Sequence, residues 1–418
     1  MRRYSWILVV LFIFAGCSKK TADNETQSTN NGQEESDLAA NEENAGPRPF
    51  KFTVDLEKYY TQPVCEEDEY NCKSYKDLGM KPVIPIHVTE ISGAKILYDL
   101  DCDGDGKYEQ RGLTRSSECA YSGQTGSFQI AIRGEIPGLV LCGDEYPDDN
   151  QIGFSDRRGP VSIDQWGDIE WRTMHGFAQF CDLVALKAQD NPNLSHVTDM
   201  SEMFHEATAF NQPIDQWDVS HVTNMTDMFN GANAFNQPLN SWDVSHVTHM
   251  TRMFAGCFDF NQPLDKWNMS AVTDISYMFA LCRSFNQPIG GWNVSSVTNM
   301  AGVFTEASSF NQPLDKWDVS HVTNMDGMFR GTSVFNQPIG NWDVSSVTIM
   351  EGMFNRSEVF NQPLDKWDVS HVTTMNAMFW GASSFSQNID GWNVSAVRDM
   401  HGMFQNTGRK KLPKWFRE

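Results

Sequence analysis

The sequence lacks the short motifs by which many enzymes are recognised. Its 418 residues contain no G-x-S-x-G or H-E-x-x-H pattern, no phosphate-binding glycine loop and no Cys-x-x-Cys pair. Such motifs supply a nucleophile, a zinc site, a phosphate cradle or a redox dithiol. Their absence argues against an enzyme and favours a binding or structural protein.

Positive charge is also scarce. The chain has 32 Lys and Arg against 54 Asp and Glu, which gives a formal net charge of −22 at pH 7. Nucleic acids and anionic lipid surfaces attract basic proteins. The charge balance therefore argues against nucleic acid as a partner.

Long apolar segments are missing. The longest apolar run, Trp6–Ala15, is too short for a membrane-spanning helix. Arg2 and Arg3 precede it and small residues lead into Cys17, which is the order of a secretion signal. The residues around Cys17 resemble the cleavage box of bacterial lipoproteins, in which the cysteine becomes a lipidated N-terminus. The resemblance implies a signal peptide over 1–17 and a lipid-anchored protein at the cell surface or outer membrane of a bacterium. A plain secreted protein is the alternative.

Aromatic residues are absent from residues 18–48, which are dominated by Asn, Glu, Ser, Thr and Gln. A segment of this composition cannot bury a core. We expect it to be a disordered tether between the anchor and the folded part.

What the chain has in abundance is a 25-residue repeat. Between residues 197 and 404 the phrase V-T-N-M-x-x-M-F-x-x-A-x-x-F-N-Q-P-[LI]-x-x-W-[DN]-V-S-x recurs eight times. A fixed period of this length is typical of a solenoid, in which each unit buries its apolar face against its neighbours. One column of the repeat is always tryptophan: Trp217, Trp242, Trp267, Trp292, Trp317, Trp342, Trp367 and Trp392.

The pattern divides each repeat into two elements. The segment [LI]-x-x-W-x-V resembles the strand of leucine-rich repeats, with Trp217 and Val219 facing the core. Met225 and Met228 follow at helical spacing, which predicts a short helix or 3₁₀ turn. The predicted fold class is therefore a mixed α/β solenoid over residues 161–418, with parallel strands, short helices or 3₁₀ turns, and end caps.

The whole unit, F-N-Q-P-L-x-x-W-D-V-S-x-V-T-x-M-x-x-M-F, is similar to that of the BspA-type leucine-rich repeat surface lipoproteins. The resemblance implies a bacterial surface protein that acts in adhesion or recognition through its repeats, with an extracellular protein or a glycan as partner. The alternative is a structural or self-associating surface protein without a dedicated ligand.

Residues 49–160 have a different pattern. Short apolar stretches alternate with Gly- and Asp-rich turns, which predicts a small β-sandwich. The turn Y-D-L-D-C-D-G-D-G at 98–106, followed by the strand G-S-F-Q-I-A-I at 126–132, resembles the PKD-like immunoglobulin-type domain.

The acidic turn is a candidate metal site. Asp99, Asp101, Asp103 and Asp105 imitate the start of an EF-hand loop, but Gly112 stands where its final acid is expected. Two interpretations stay open: a site for Ca²⁺, the one cofactor considered, or a solvated Asp-Gly hairpin turn.

The outward positions of the predicted strands are the candidate ligand face. They are polar and carry both charges, with Lys on alternate repeats so that like charges are not adjacent. Such a face suits an extended protein or glycan, whereas a merely solvated sheet face is the alternative. The candidates are Asp218, Asp243, Lys266, Lys316, Asp318, Asp343, Lys366 and Asp368.

Eight cysteines remain besides Cys17, an even number that favours disulfides in an exported protein. Cys257 and Cys282 lie one period apart, so neighbouring strands about 5 Å apart should bring them together. The other candidate pairs are Cys65–Cys72, Cys102–Cys119 and Cys142–Cys181.

Overall fold

The structure is a computed structural model that describes residues 46–57, 64–65, 72–73, 83–122, 124–142, 161–181 and 183–417. Residues 47–418 form one compact unit. The predicted signal peptide and tether lie outside the described residues.

Eleven strands lie in the described part of the N-terminal half. Their bounds are β1 Phe50–Asp55, β2 Val64–Cys65, β3 Cys72–Lys73, β4 Val83–Val88, β5 Leu97–Asp101, β6 Gln110–Leu113, β7 Ser117–Ala120, β8 Ser127–Glu135, β9 Leu139–Val140, β10 Ser162–Gln165 and β11 Ala185–Leu186. They form a six-stranded sheet in the order β11-β10-β1-β8-β5-β6, a three-stranded sheet β7-β4-β9 and the pair β2-β3.

The alternation of buried and half-buried side chains along the strands explains how the two larger sheets pack. In β1 the side chains of Phe50, Phe52 and Val54 are buried while those between them are half-buried. In β4 Ile84 and Ile86 are buried in the same way. Successive side chains of a strand face opposite sides of its sheet, so each sheet presents one apolar face to a common core. The strand β10 pairs with β1, and the predicted domain boundary at residue 160 stays a prediction.

The predicted α/β solenoid is wrong. Residues 56–57 are the only helical residues in the described part of the chain, and no strand is found between residues 187 and 417. The segment predicted as a strand is a turn, in which the Trp217 N–H donates to the Ile214 carbonyl at 3.1 Å. The segment predicted as a helix is a run of turns, because positive φ angles of 58° at Glu202 and 54° at Glu206 interrupt any helix.

Each repeat is bonded to the next by backbone hydrogen bonds from alternate residues. In the first full repeat the N–H groups of Met200, Glu202, Phe204 and Glu206 donate to the carbonyls of Asn224, Thr226, Met228 and Asn230 at 2.7–3.0 Å. Single parallel bridges, such as Asp199 with Asn224, mark the same contact in every repeat. We call this succession of bonded repeats the repeat stack.

The core of the repeat stack consists of aromatic columns. Phe229 and Phe254 stack at 5.6 Å between ring centroids, and Phe229 also stacks on Phe235 at 4.1 Å. The indole N–H of Trp242 donates to the Ile214 carbonyl of the preceding repeat at 3.1 Å. Rings of this size bury about 150–250 Å² each, so the columns form a continuous core.

An amide ladder accounts for the repeated Asn-Gln pair. The Oδ1 atom of Asn211 accepts hydrogen bonds from the Asn236 backbone N–H at 3.0 Å and from Gln237 Nε2 at 2.9 Å. The same pair of bonds recurs at Asn236, Asn261, Asn286, Asn311 and Asn336.

Two predicted disulfides are confirmed, Cys102–Cys119 and Cys142–Cys181. The prediction for Cys257 and Cys282 is wrong, since both are buried free thiols.

The reason for the missing bond is that equivalent side chains run parallel in the repeat stack. Each thiol donates to the carbonyl of the preceding repeat's phenylalanine, Cys257 to Phe229 at 3.0 Å and Cys282 to Phe254 at 2.9 Å. Equivalent rings in neighbouring repeats lie 6.0 Å apart, whereas bonded sulfurs must lie about 2 Å apart. Cys65 lies opposite Cys72 in the β2-β3 pair, but their predicted disulfide concerns side chains outside the described ones.

Candidate functional site

The predicted ligand face is exposed, but its aspartates have a local structural role. The Oδ1 atom of Asp318 accepts hydrogen bonds from the backbone N–H of Ser320 at 3.1 Å and from its hydroxyl at 2.7 Å. These bonds from Ser320 hold the pKa of Asp318 below its usual range. Asn293 accepts the same two bonds from Ser295, which explains why either Asp or Asn can occupy this column. All eight predicted residues are exposed, namely Asp218, Asp243, Lys266, Lys316, Asp318, Asp343, Lys366 and Asp368.

A different surface changes its side chains from repeat to repeat. We call it the variable arc: the positions aligned with Ser201, Glu202, His205 and Glu206, which lie on either side of the Met203-Phe204 pair in each repeat. The second of these columns reads Glu202, Asp227, Arg252, Tyr277, Gly302, Gly327, Gly352, Ala377 and Gly402. The fourth reads Glu206, Gly231, Gly256, Leu281, Glu306, Gly331, Arg356, Gly381 and Asn406.

The backbone of these two columns is left-handed, whatever the residue. Gly231 has φ of 75° and Gly331 has 69°, while Tyr277 has 57° and Leu281 has 63°. A left-handed conformation costs a non-glycine residue about 1–2 kcal/mol. Glycine already occupies several equivalent positions, so the larger side chains are held at a cost to stability.

The central part of the variable arc presents apolar side chains to solvent. Tyr277 and Leu281 belong to one repeat, and each is 38% exposed. A Cβ atom on Gly302 would lie 2.3 Å from the Tyr277 ring, so that ring rests on the bare backbone of the next repeat. The arrangement fixes an aromatic side chain at the surface.

Charged and aromatic contacts flank this central part. On one side Arg252 forms a two-bond ion pair with Asp227, at 2.7 and 2.8 Å. On the other side the Arg356 guanidinium lies 4.9 Å from the centre of the Trp380 ring. Ion pairs, cation–π contacts and exposed aromatics are common at protein-binding surfaces.

One carboxyl group of the variable arc has a raised pKa. Partial burial, together with the charge of Glu351 in the next repeat, raises the pKa of Asp326. The repeat pattern does not predict the pair of Asp326 and Glu351. Both residues occupy positions at which the repeated phrase has no fixed residue type.

The acidic turn brings four carboxylates together, but they are not the predicted four. Ligand atoms of Asp101, Asp103, Asp105 and Glu109 lie within 4.8 Å of one another, which is compact enough for one cation. Asp99 instead binds Arg133 at 3.0 Å. Asp101 also accepts N–H groups of the turn itself, Gly104 at 2.7 Å and Gly106 at 3.0 Å. The Ca²⁺ site and the self-sufficient hairpin turn both stay open.

No helix among the described residues is long and apolar enough to cross a membrane. Cys17, the predicted lipidation site, lies outside the described residues.

Comparison with known proteins places the repeats in a family. Residues 173–283, 262–339 and 312–415 match the model of a family described as "Mycoplasma protein of unknown function, DUF285". These segments together span more than half of the chain. No curated protein and no solved structure matches the sequence.

Proposed function

Since the chain belongs to the DUF285 family, whose repeats are related to those of BspA-like proteins, we propose that it is a non-enzymatic recognition protein of the bacterial surface. In this proposal Cys17 carries the lipid anchor at the cell surface or outer membrane. The repeat stack binds an extracellular protein or a glycan and so serves in adhesion. The N-terminal sheets, with their PKD-like sequence, precede the repeat stack in the chain.

The observation that carries the proposal is the set of exposed side chains on left-handed backbone in the variable arc. Tyr277 and Leu281 replace glycines at a cost in stability, and the fold gains no buried core from their exposed parts. Residues that cost stability and face solvent are characteristic of binding surfaces. We therefore place the ligand on the variable arc rather than on the predicted strand face.

The test is a binding assay with two matched variants. Immobilised protein is probed with extracellular matrix proteins, bacterial surface proteins and glycans. We expect the double variant Tyr277→Gly, Leu281→Gly to lose binding to the recognised partner, because glycine keeps the backbone but removes the exposed side chains. The control, Lys316→Gln with Asp318→Asn, should bind as the unchanged protein does. Loss in the control alone would return the site to the predicted strand face. Full binding by both variants would overturn a recognition role for either surface.

The alternative of end-to-end self-association has less support from the ends of the repeat stack. At its first repeat the Phe177 carbonyl accepts the Leu141 N–H at 2.9 Å, and the Arg172 N–H donates to the Pro137 carbonyl at 2.8 Å. Leu141 thus already occupies one carbonyl, that of Phe177, that another copy would need in order to stack.

A further inference from the structure

Two neighbouring repeats combine aromatic, aliphatic and arginine side chains on and beside the variable arc. Arg252 belongs to one of them, Tyr277 and Leu281 belong to the next, and all three residues are exposed. Two residues after the fourth column of the arc, the same repeats carry Phe258 and Arg283. The equivalent residues of the other repeats are Thr208, Asn233, Ser308, Ser333, Glu358, Ser383 and Gly408. We call Arg252, Phe258, Tyr277, Leu281 and Arg283 the central patch.

Both arginines of the central patch are held by the repeat that precedes their own. Arg252 forms its two-bond ion pair with Asp227, at 2.7 and 2.8 Å. The Arg283 guanidinium lies 4.8 Å from the centre of the Phe258 ring, in a cation–π contact. Side chains that are already positioned lose less conformational entropy when they bind a partner. The central patch is therefore preorganised for binding at both arginines.

Arg283 has no acidic partner among the residues that the structure describes. Its guanidinium makes no hydrogen bond or ion pair with any of them, although Asp259 follows Phe258 in the chain. The residue is exposed, and an arginine presents its N–H donors in a fork that matches a carboxylate. Charges farther away than about 8 Å are largely screened at physiological salt, so the net charge of −22 does not cancel this local cation. Charge complementarity therefore favours a carboxylate beside Arg283.

The rest of the central patch is mostly hydrocarbon. Tyr277 and Leu281 are each 38% exposed, and Phe258 is half-buried. A sugar placed against these side chains would lose hydrogen bonds between its hydroxyl groups and water, which Leu281 and Phe258 cannot replace. An apolar side chain of a protein gains free energy from the same contact. Tyrosine and arginine are also enriched at the energetic centres of protein interfaces. The central patch therefore suits a protein better than a glycan.

We propose that the central patch binds a protein through an exposed segment that carries an apolar side chain close to a carboxylate. The apolar side chain packs against Tyr277 and Leu281. The carboxylate accepts hydrogen bonds from the guanidinium of Arg283, which the Phe258 ring holds in position. The inference rests on the proposed function, since it takes the variable arc as the binding surface and specifies the partner.

The first test selects peptides on the full chain. A phage-displayed library of short random peptides is depleted on the Tyr277→Gly, Leu281→Gly variant and then selected on the unchanged protein. The enriched peptides should share an apolar residue close to Asp or Glu. Replacing that acid by its amide should weaken their binding about tenfold or more, because the charged hydrogen bonds to Arg283 are lost. A selection without enrichment, or peptides that bind equally well as amides, would overturn the proposal.

The second test locates the carboxylate on the protein. Arg283→Gln removes the charge and the fork of donors, and it should weaken binding of an enriched peptide about tenfold or more. The control, Arg330→Gln, makes the same charge change at another exposed arginine of the variable arc, outside the central patch, and should leave binding unchanged. An equal loss in the two variants would reduce the effect to net charge and overturn the assignment to Arg283.

The inference and the proposed function fail in different ways. A glycan that binds the unchanged protein and the Arg283→Gln variant equally, but not the Tyr277→Gly, Leu281→Gly variant, would keep the variable arc as the binding surface and overturn the protein partner. A peptide selected without the depletion step that binds the unchanged protein and the double variant equally well, while no ligand distinguishes them, would overturn both.

Discussion

At the scale of single residues, the retained polar letters of the Asn-Gln pair and the retained tryptophan reach the neighbouring repeat with polar atoms, while the retained Phe, Met and Val form the core. The asparagine of the Asn-Gln pair accepts two hydrogen bonds from the next repeat, and the tryptophan donates one to the previous repeat. Some variable positions also bond the next repeat with their side chains, as Asn233 does with the Gly256 carbonyl at 2.9 Å. Others, such as Tyr277 and Leu281, are partly exposed to solvent.

The amide ladder should be sensitive to loss of its acceptor. Asn286 Oδ1 accepts the Asn311 N–H at 3.0 Å and Gln312 Nε2 at 3.0 Å. Asn286→Ala should lower the free energy of unfolding by about 1–3 kcal/mol, because partly buried donors lose their acceptor. Asn286→Asp keeps an oxygen in place and should lose much less in a urea titration. Equal losses in the two variants would show that the ladder bonds do not determine the effect.

The left-handed columns should gain stability from glycine. Glu306 has φ of 58°, and the equivalent position is Gly331 in the next repeat. Glu306→Gly should raise the free energy of unfolding by about 1 kcal/mol, because it relieves the left-handed conformation. Glu306→Ala keeps that conformation and should show no gain. A glycine variant less stable than the alanine variant would contradict the cost that we assign to these positions.

The Asp326 carboxyl group, considered apart from all other titrating groups, should make the protein less stable at neutral pH than at acid pH. Its pKa is raised in the folded state by burial and by Glu351, so its ionised form is disfavoured there. The penalty is absent below the unfolded pKa of about 3.9, appears as the pH rises through that value, and stays constant above the folded pKa. Asp326→Asn should therefore raise the thermal midpoint at pH 7 and leave it unchanged near pH 3. An equal shift at both pH values would assign the effect to packing.

At the scale of elements, the 25-residue period of the repeats could be predicted from the sequence, whereas the secondary structure within each repeat could not. The columns of Trp and Phe report which residues share the core, and these are buried as the spacing predicts. Spacing of three and four residues between Met200, Met203 and Phe204 is satisfied by successive turns as well as by a helix. Only the φ angles distinguish the two, and Glu202 gives no compositional sign that its backbone is left-handed.

Because equivalent side chains of neighbouring repeats run parallel, the two buried cysteines stay as free thiols. Burial raises the pKa of the Cys257 thiol and of the Cys282 thiol, so both should resist alkylation in the folded protein. After denaturation without reductant, alkylation followed by mass spectrometry should label these two cysteines and leave Cys102, Cys119, Cys142 and Cys181 unlabelled. A cross-linked peptide containing Cys257 and Cys282 would contradict the structure.

At the scale of the whole molecule, the sequence predicts a ligand face from its polar residues of both charges, and that face stays a prediction. The structure shows that Asp318 and its equivalents on this face accept hydrogen bonds within their own turns. The variable arc depends on the left-handed backbone of two of its columns, which the amino-acid letters do not contain. The acidic turn shows the same limit, since Glu109 joins the cluster through folding of the chain and Asp99 leaves it for Arg133.

The one-directional bonding of the repeats also has a mechanical consequence. Each repeat holds only its neighbours, so a pull on the last repeat would load one set of inter-repeat bonds at a time. We expect the stack to peel in steps, each releasing 25 residues and lengthening the chain by about 85 Å at about 3.4 Å per residue. The Cys142–Cys181 disulfide would stop the peeling before the N-terminal sheets open. A protein built in this way can lengthen under tension while its N-terminal sheets stay folded.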